Sequence, residues 1–285
     1  MRKTSPFDRR GGYSTPNLEG RGCAIAGPRV KQALWRVTYE FLAARLPLPE
    51  WAFMNYGYTA VAPDTDTLEL EASDEADRFC IQLYERVAGP VDLHGSDVLE
   101  VGSGRGGGAS YMKRYLGPAT VVGADLSRWA VRLCNRYRGL PGLRYVHGDA
   151  RSLPFPDGSF DAVVNVESSH CYPSMDAFLG EVHRVLRSGG HFLFADFRSH
   201  EELGGLHDEL ARCPLEVVDE EVITGNVVAA LEHDSDRKLW LIRQMVPKWL
   251  QAPFIRFAAI EGSRTYEGFL AGRTSYLRYV LRKPA

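Results

Sequence analysis

From position 97 onward, short apolar runs alternate with amphipathic stretches. The runs fall at 98–101, 120–124, 143–146, 160–166 and 192–195. Their neighbouring positions are mostly apolar, not alternately apolar and polar. That is the pattern of strands covered on both faces. Helical spacing fills the gaps near 108–117, 127–138 and 175–187. The alternation predicts an open α/β sheet, doubly wound, with helices on both sides.

The flanks read differently. Residues 1–27 are rich in Arg, Gly, Ser and Pro and read as a flexible tail. A helix is expected over 30–45, where Leu34, Val37, Phe41 and Leu42 form a stripe ended by Pro47 and Pro49. An aromatic segment follows, Trp51-Ala52-Phe53-Met54-Asn55-Tyr56-Gly57-Tyr58. It reads either as core beneath the first helix or as a cover over a cleft. A second helix is expected from Ser73, with a capping signal in Ser73-Asp74-Glu75-Ala76. These elements make 28–96 an amino-terminal helical or lid segment, before a core at 97–198. Helical patterns at 201–210, 220–231 and 237–250 suggest a helical cap inserted at 199–252. Strand-like runs at 254–260 and 275–281 are expected to complete the sheet within 253–285.

Composition narrows the function classes. Of 285 residues, 45% are hydrophobic and 25% charged, as in an ordinary globular protein. The net charge of −2 gives no electrostatic case for a nucleic-acid partner. No apolar run is long enough to cross a bilayer, and no signal-peptide core follows Met1-Arg2-Lys3, so a cytoplasmic protein that is not integral to a membrane is expected. The five cysteines are widely spaced, with no CxxC and no zinc-type Cys/His spacing. No metal is expected. A homodimer is compatible with the sequence.

The candidate chemistry starts where the first strand ends. Five glycines fall within Gly102-Ser103-Gly104-Arg105-Gly106-Gly107-Gly108, after Glu100 and before a helix. Such a turn lets a ligand approach the backbone and faces it with a helix N-terminus. Ligands of open α/β sheets sit beyond the carboxyl ends of the strands. Asp125 and Leu126 end the second strand, where a carboxylate can accept from both hydroxyls of a ribose. Gly148-Asp149-Ala150 ends the third, where a carboxylate can accept from an adenine amino group. Asn165 ends the fourth and leads into Glu167 and His170. A nicotinamide dinucleotide site uses a similar turn and acid. Glu100 argues against it, because an acid there would repel a pyrophosphate.

Together with Leu153-Pro154-Phe155-Pro156-Asp157-Gly158-Ser159-Phe160-Asp161 and Val182-His183-Arg184-Val185-Leu186-Arg187-Ser188-Gly189-Gly190, these motifs resemble the class I S-adenosylmethionine-dependent methyltransferases. The resemblance is strong over 97–198. It implies a Rossmann-like seven-stranded sheet, with S-adenosyl-L-methionine as cofactor and S-adenosyl-L-homocysteine as product. It places Glu100, Gly102, Ser103 and Gly104 around the methionine part, Asp125 with Leu126 on the ribose, and Gly148, Asp149 and Ala150 near adenine. Asn165 is counted with the cofactor site, as is Tyr56 if the aromatic segment covers the cleft. Three further stretches narrow the likeness: Leu70-Glu71-Ala72-Ser73-Asp74-Glu75, Gly106-Gly107-Gly108-Ala109-Ser110-Tyr111, and Asn165-Val166-Glu167-Ser168-Ser169-His170-Cys171-Tyr172-Pro173. They look like phthiotriol/phenolphthiotriol dimycocerosate methyltransferases and fatty-acid O-methyltransferases. That group implies transfer to oxygen on a lipophilic small molecule, in lipid or specialised metabolism.

For a hydroxyl acceptor the enzyme must align the oxygen and remove its proton. His170, just past the fourth strand, is the candidate base. Glu167 would share its face if the backbone turns helically there, and would orient it. Tyr58, Tyr172, Trp240 and Met245 are the candidate pocket residues. Carboxyl methylation of a fatty acid, carbon methylation and a non-methylating cyclase on the same fold remain alternatives.

Overall fold

The computed structural model describes residues 51–60 and 68–285. The tail at 1–27 and the helix expected over 30–45 lie outside the described residues.

The apolar runs form the strands of one mixed sheet. In chain order they are β1 (Asp97–Val101), β2 (Thr120–Asp125), β3 (Leu143–His147), β4 (Phe160–Val166), β5 (Leu186–Ser199), β6 (Glu216–Val222) and β7 (Thr274–Arg282). Their spatial order is β3-β2-β1-β4-β5-β7-β6. The first five run parallel, and β7 lies antiparallel between β5 and β6. The order reverses between β1 and β4, which is where such a sheet opens a ligand crevice.

Helices cover both faces. On one side α1 (Arg78–Ala88) and α2 (Gly107–Tyr115) bury Leu83, Val87 and Met112 against Val98, Val121 and Val164. On the other, α4 (Met175–Val185) and α5 (His200–Arg212) bury Phe178, Val182 and Leu206 against Leu99, Val163 and Phe192. Between these, α3 (Arg128–Tyr137) follows β2 and is capped by Ser127, whose side chain accepts from Ala130 N–H. This double cover explains why the centres of β1, β4 and β5 read as mostly apolar runs and not as alternating ones.

The carboxyl-terminal third departs from the expectation. The span 199–252 is not wholly helical, because β6 lies within it as the edge strand of the sheet. Its sequence, Glu-Val-Val-Asp-Glu-Glu-Val, is largely exposed and acidic. An edge strand needs little apolar surface and is protected by charge, so it carries no buried-strand signature. Arg278 of β7 pairs with its Asp219, and Arg86 of α1 with its Glu221 at 2.5 Å. The helix expected over 220–231 therefore starts later, as α6 (Thr224–Met245). The run at 254–260 is not a strand either. It is the second half of α7 (Lys248–Phe257) and the turn after it. Phe254 and Ile260 pack with Ile242 and Val246 of α6, and a short apolar run does not distinguish helix from strand. A last helix, α8 (Arg264–Leu270), leads into β7.

Candidate active site

The strand ends, the segment 52–56 and α7 enclose a cavity of about 860 Å³. Its floor is the glycine loop. Gly102 and Ser103 donate their N–H groups to the Ala124 carbonyl at 2.8 and 3.1 Å, which folds the loop over the end of β2. Gly102 has φ 76°, and a Cβ there would stand 2.3 Å from Ser168 Oγ. Both the left-handed backbone and the close approach require glycine at this position. Gly104 N–H donates to Asp125 Oδ2 at 2.8 Å, and Ser127 N–H to Asp125 Oδ1 at 2.8 Å. The Asp125 carboxylate is thereby fixed at the cavity wall.

Of the buried polar atoms here that have no partner among the described residues, Asn55 Oδ1 and Asn165 Oδ1 among them, two bear directly on the glycine loop. One is Ser103 Oγ, in a residue that lines the cavity. The other is Glu100 Oε2. Glu100 lies behind the loop, 1% exposed, with Oε1 accepting from Tyr84 OH at 2.6 Å. Burial pushes its carboxyl up to about 8, against the lowering effect of the Tyr84 hydroxyl. Leu126, Gly148, Asp149 and Ala150 form the next part of the wall. Arg151 bonds Asp149 at 2.7 Å and holds its carboxyl below the usual range. Asn165 is fully buried behind the wall. Its Nδ2 donates to Val101 O at 2.8 Å, to Ser168 Oγ at 2.7 Å and to Tyr172 OH at 3.0 Å. It thus ties the end of β1 to the turn after β4. Tyr172 itself faces the cavity.

His170 stands on the turn Ser169–Cys171 and lines the cavity. Its Nδ1 is 2.8 Å from Asp196 Oδ1. Asp196, at the carboxyl end of β5, is completely buried. It also accepts from His170 N–H at 2.8 Å, Ser169 Oγ at 2.6 Å and Phe197 N–H at 2.9 Å, and pairs with Arg198 at 3.1 Å. Burial opposes its charge, but the His170 and Arg198 cations and these donors outweigh it, so the carboxyl sits far below its ordinary value. Burial likewise opposes a charge on His170. The attraction and hydrogen bond of Asp196 prevail and raise the imidazole above its ordinary 6.5. The Nδ1 contact leaves Nε2 as the nitrogen that can exchange a proton with a bound molecule.

Glu167 does not orient His170. Its φ of 48° breaks any helical phase after β4. Its Oε1 instead accepts from Tyr56 N–H at 2.8 Å and Tyr276 OH at 2.9 Å. Burial pushes its carboxyl up to about 7, against those two donors. Glu167 thereby pins the aromatic segment to the rim, where Tyr56 stacks on Phe197 at 5.4 Å between centroids. Tyr56 faces the cavity, whereas Tyr58 packs against the core and lines no part of it. Trp240 is 60% exposed and lines neither this cavity nor the smaller one beside it. Met245 borders a smaller neighbouring cavity of about 70 Å³, which shares Phe53, Met54, Asn55 and Phe257 with the large one. Asp196 escaped the sequence reading, because the run 192–195 reads as strand and stops one residue short. An acid directly after the fully apolar run 192–195 was the available signal. Among the described residues, no three His, Cys, Asp or Glu gather in a metal-holding group. No helix among them is long and apolar enough to cross a membrane.

Residues 99–194 match the family model for a methyltransferase domain. The phthiotriol/phenolphthiotriol dimycocerosates methyltransferase of Mycobacterium tuberculosis is 41% identical over 250 residues, covering 88% of this chain and 92% of its own. The fatty-acid O-methyltransferase of Mycolicibacterium smegmatis is 40% identical over 257 residues, covering 90% and 92%. The chain belongs to this methyltransferase family. Solved structures share the fold. The geranyl diphosphate C-methyltransferase of Streptomyces coelicolor A3(2), crystallised with S-adenosyl-L-homocysteine, superposes with TM-score 0.62 at 17% identity, covering 89% of this methyltransferase and 98% of its own chain. The cyclase SpnF gives 0.64 at 21% identity, covering 90% and 97%.

Proposed function

We propose that this methyltransferase transfers a methyl group from S-adenosylmethionine to a hydroxyl oxygen of a lipophilic small molecule. The observation that carries the reading is the His170–Asp196 pair, held at 2.8 Å and facing an 860 Å³ cavity beside the glycine loop.

The donor groups suit the cofactor. Asp125, already fixed by two N–H groups, presents its carboxylate to the ribose hydroxyls. Gly148, Asp149 and Ala150 lie where an adenine edge would rest. The unpartnered Ser103 Oγ and the close-packed Gly102 favour a polar ligand pressed against the loop. Glu100 and Asn165 support the loop from behind. Bound here, S-adenosylmethionine would supply an electrophilic methyl on a sulfonium, leaving S-adenosylhomocysteine.

His170 Nε2 accepts the acceptor hydroxyl's proton, and Asp196 holds the ring and stabilises the imidazolium that forms. Asp196 is thus a positioning residue. Glu167 serves by closing the segment around Tyr56 over the site, which excludes water. Tyr172 belongs to the pocket wall. The lipophilic acceptor is supported by the apolar rim of Phe53, Met54, Pro253 and Phe257 and by the lipid substrates in the relatives' names.

A second reading has one specific observation in its favour. A His170 raised above 6.5 spends more of the neutral range as a cation, which would hold a fatty-acid carboxylate rather than deprotonate a hydroxyl.

Isotope-labelled methyl donor with a panel of lipophilic alcohols, phenols and fatty acids tests both. We expect labelled ethers from alcohols or phenols, matched by S-adenosylhomocysteine. Methyl esters alone would replace the hydroxyl reading with the carboxylate one. Cofactor binding without any product across the panel would count against transfer to these oxygens.

A further inference from the structure

Between Arg237 and Ile260 the chain carries five cations and no acid, within a protein of net charge −2. Arg237 and Lys238 are engaged by Asp234, at 2.5 and 3.4 Å. Arg243, Lys248 and Arg256 are exposed and have no ion-pair partner among the described residues. Beside them stand Trp240, 60% exposed, and Trp249, 73% exposed.

These residues flank the elbow where α6 ends and α7 begins at Val246-Pro247. The elbow is fastened from within. Gln251 Nε2 donates to Val246 O at 3.0 Å, and Ile242, Val246, Phe254 and Ile260 form their own small core. Neither exposed tryptophan belongs to that core. On α7, positions 249, 252, 253 and 256 fall on one face. Ala252, Pro253 and Arg256 of that face line the large cavity. Trp249 shares that face by helical spacing and is exposed to solvent.

We propose that this elbow docks the enzyme on an anionic lipid surface, with the cavity mouth facing the bilayer. Trp240 and Trp249 enter the headgroup layer, and Arg243, Lys248 and Arg256 pair with lipid phosphates. Indole rings beside cations on an amphipathic surface are the chemistry of interfacial binding. A lipophilic acceptor resides in that surface, so docking shortens its path to the cavity. This step rests on the lipophilic-acceptor reading. A second copy of the chain fits less well, because a symmetric contact would set these unpaired cations against their own copies.

The test uses the full chain without cofactor or acceptor, so it can fail or succeed independently of methyl transfer. Vesicles with about 30% phosphatidylglycerol in phosphatidylcholine are compared with pure phosphatidylcholine by co-sedimentation and tryptophan emission. We expect partition onto the anionic vesicles, a blue-shifted emission, and loss of both as salt rises from about 0.1 to about 0.5 M. The double variant R243Q/K248Q should lower the partition roughly tenfold or more. Its turnover of an acceptor dispersed below its aggregation threshold should match the parent. W240A/W249A should weaken partition without changing the oligomeric state. Equal partition onto neutral vesicles, no partition at all, undiminished partition of the double variants, or a dimer that R243Q/K248Q or W240A/W249A dissociates would overturn the proposal.

Discussion

Asp196 accepts four hydrogen bonds while completely buried, and two of them come from His170. Asp196→Asn keeps the shape but removes the anion. We expect kcat to fall roughly a hundredfold or more, with calorimetric cofactor affinity nearly unchanged; a loss of affinity of similar size would mean that the residue holds the fold instead. Asp125 has the opposite expectation. Asp125→Ala should weaken cofactor binding roughly tenfold or more, since a charged acceptor for two hydroxyls is lost, and unaltered affinity would remove it from the ribose site. The sequence marked Asp125, Asp149 and His170 because each lies within four residues of the end of an apolar run. It could not pair His170 with Asp196, which lies 26 positions away on the neighbouring strand. Sequence spacing suggested Glu167 instead, and one left-handed residue after β4 cancels that spacing.

At the scale of elements, buried strands and their crossover helices were legible because double burial forces continuous apolar runs. The exposed edge strand β6 was not, since nothing presses apolar residues onto it. The 237–250 stripe was read as one helix, and Pro247 splits it between α6 and α7. Trp240 then faces solvent because Ile242 takes the inward position. Helix α4 gives a direct test of the packing. Phe178 is fully buried and meets Tyr172 and Phe192 edge-on, at 4.9 and 5.7 Å between centroids. Phe178→Ala should cost about 3–5 kcal/mol in denaturant unfolding. A cost below about 1 kcal/mol would show that the helix does not press on the sheet as described.

For the whole molecule, a glycine loop, Asp125, Asp149, His170 and a roof from 52–56 and α7 converge on one cavity. The central claim is that His170, held by Asp196, removes the acceptor's proton, and the pH dependence of turnover reads it most directly. The free imidazole is the active form, so the rate should rise with pH to a plateau. Asp196 stabilises the imidazolium, so the half-point should lie above the ordinary 6.5. Removing that anion in Asp196→Asn should move the half-point down towards 6.5 and lower the plateau. A rate that falls as pH rises, or a limb that Asp196→Asn leaves in place, would contradict the account.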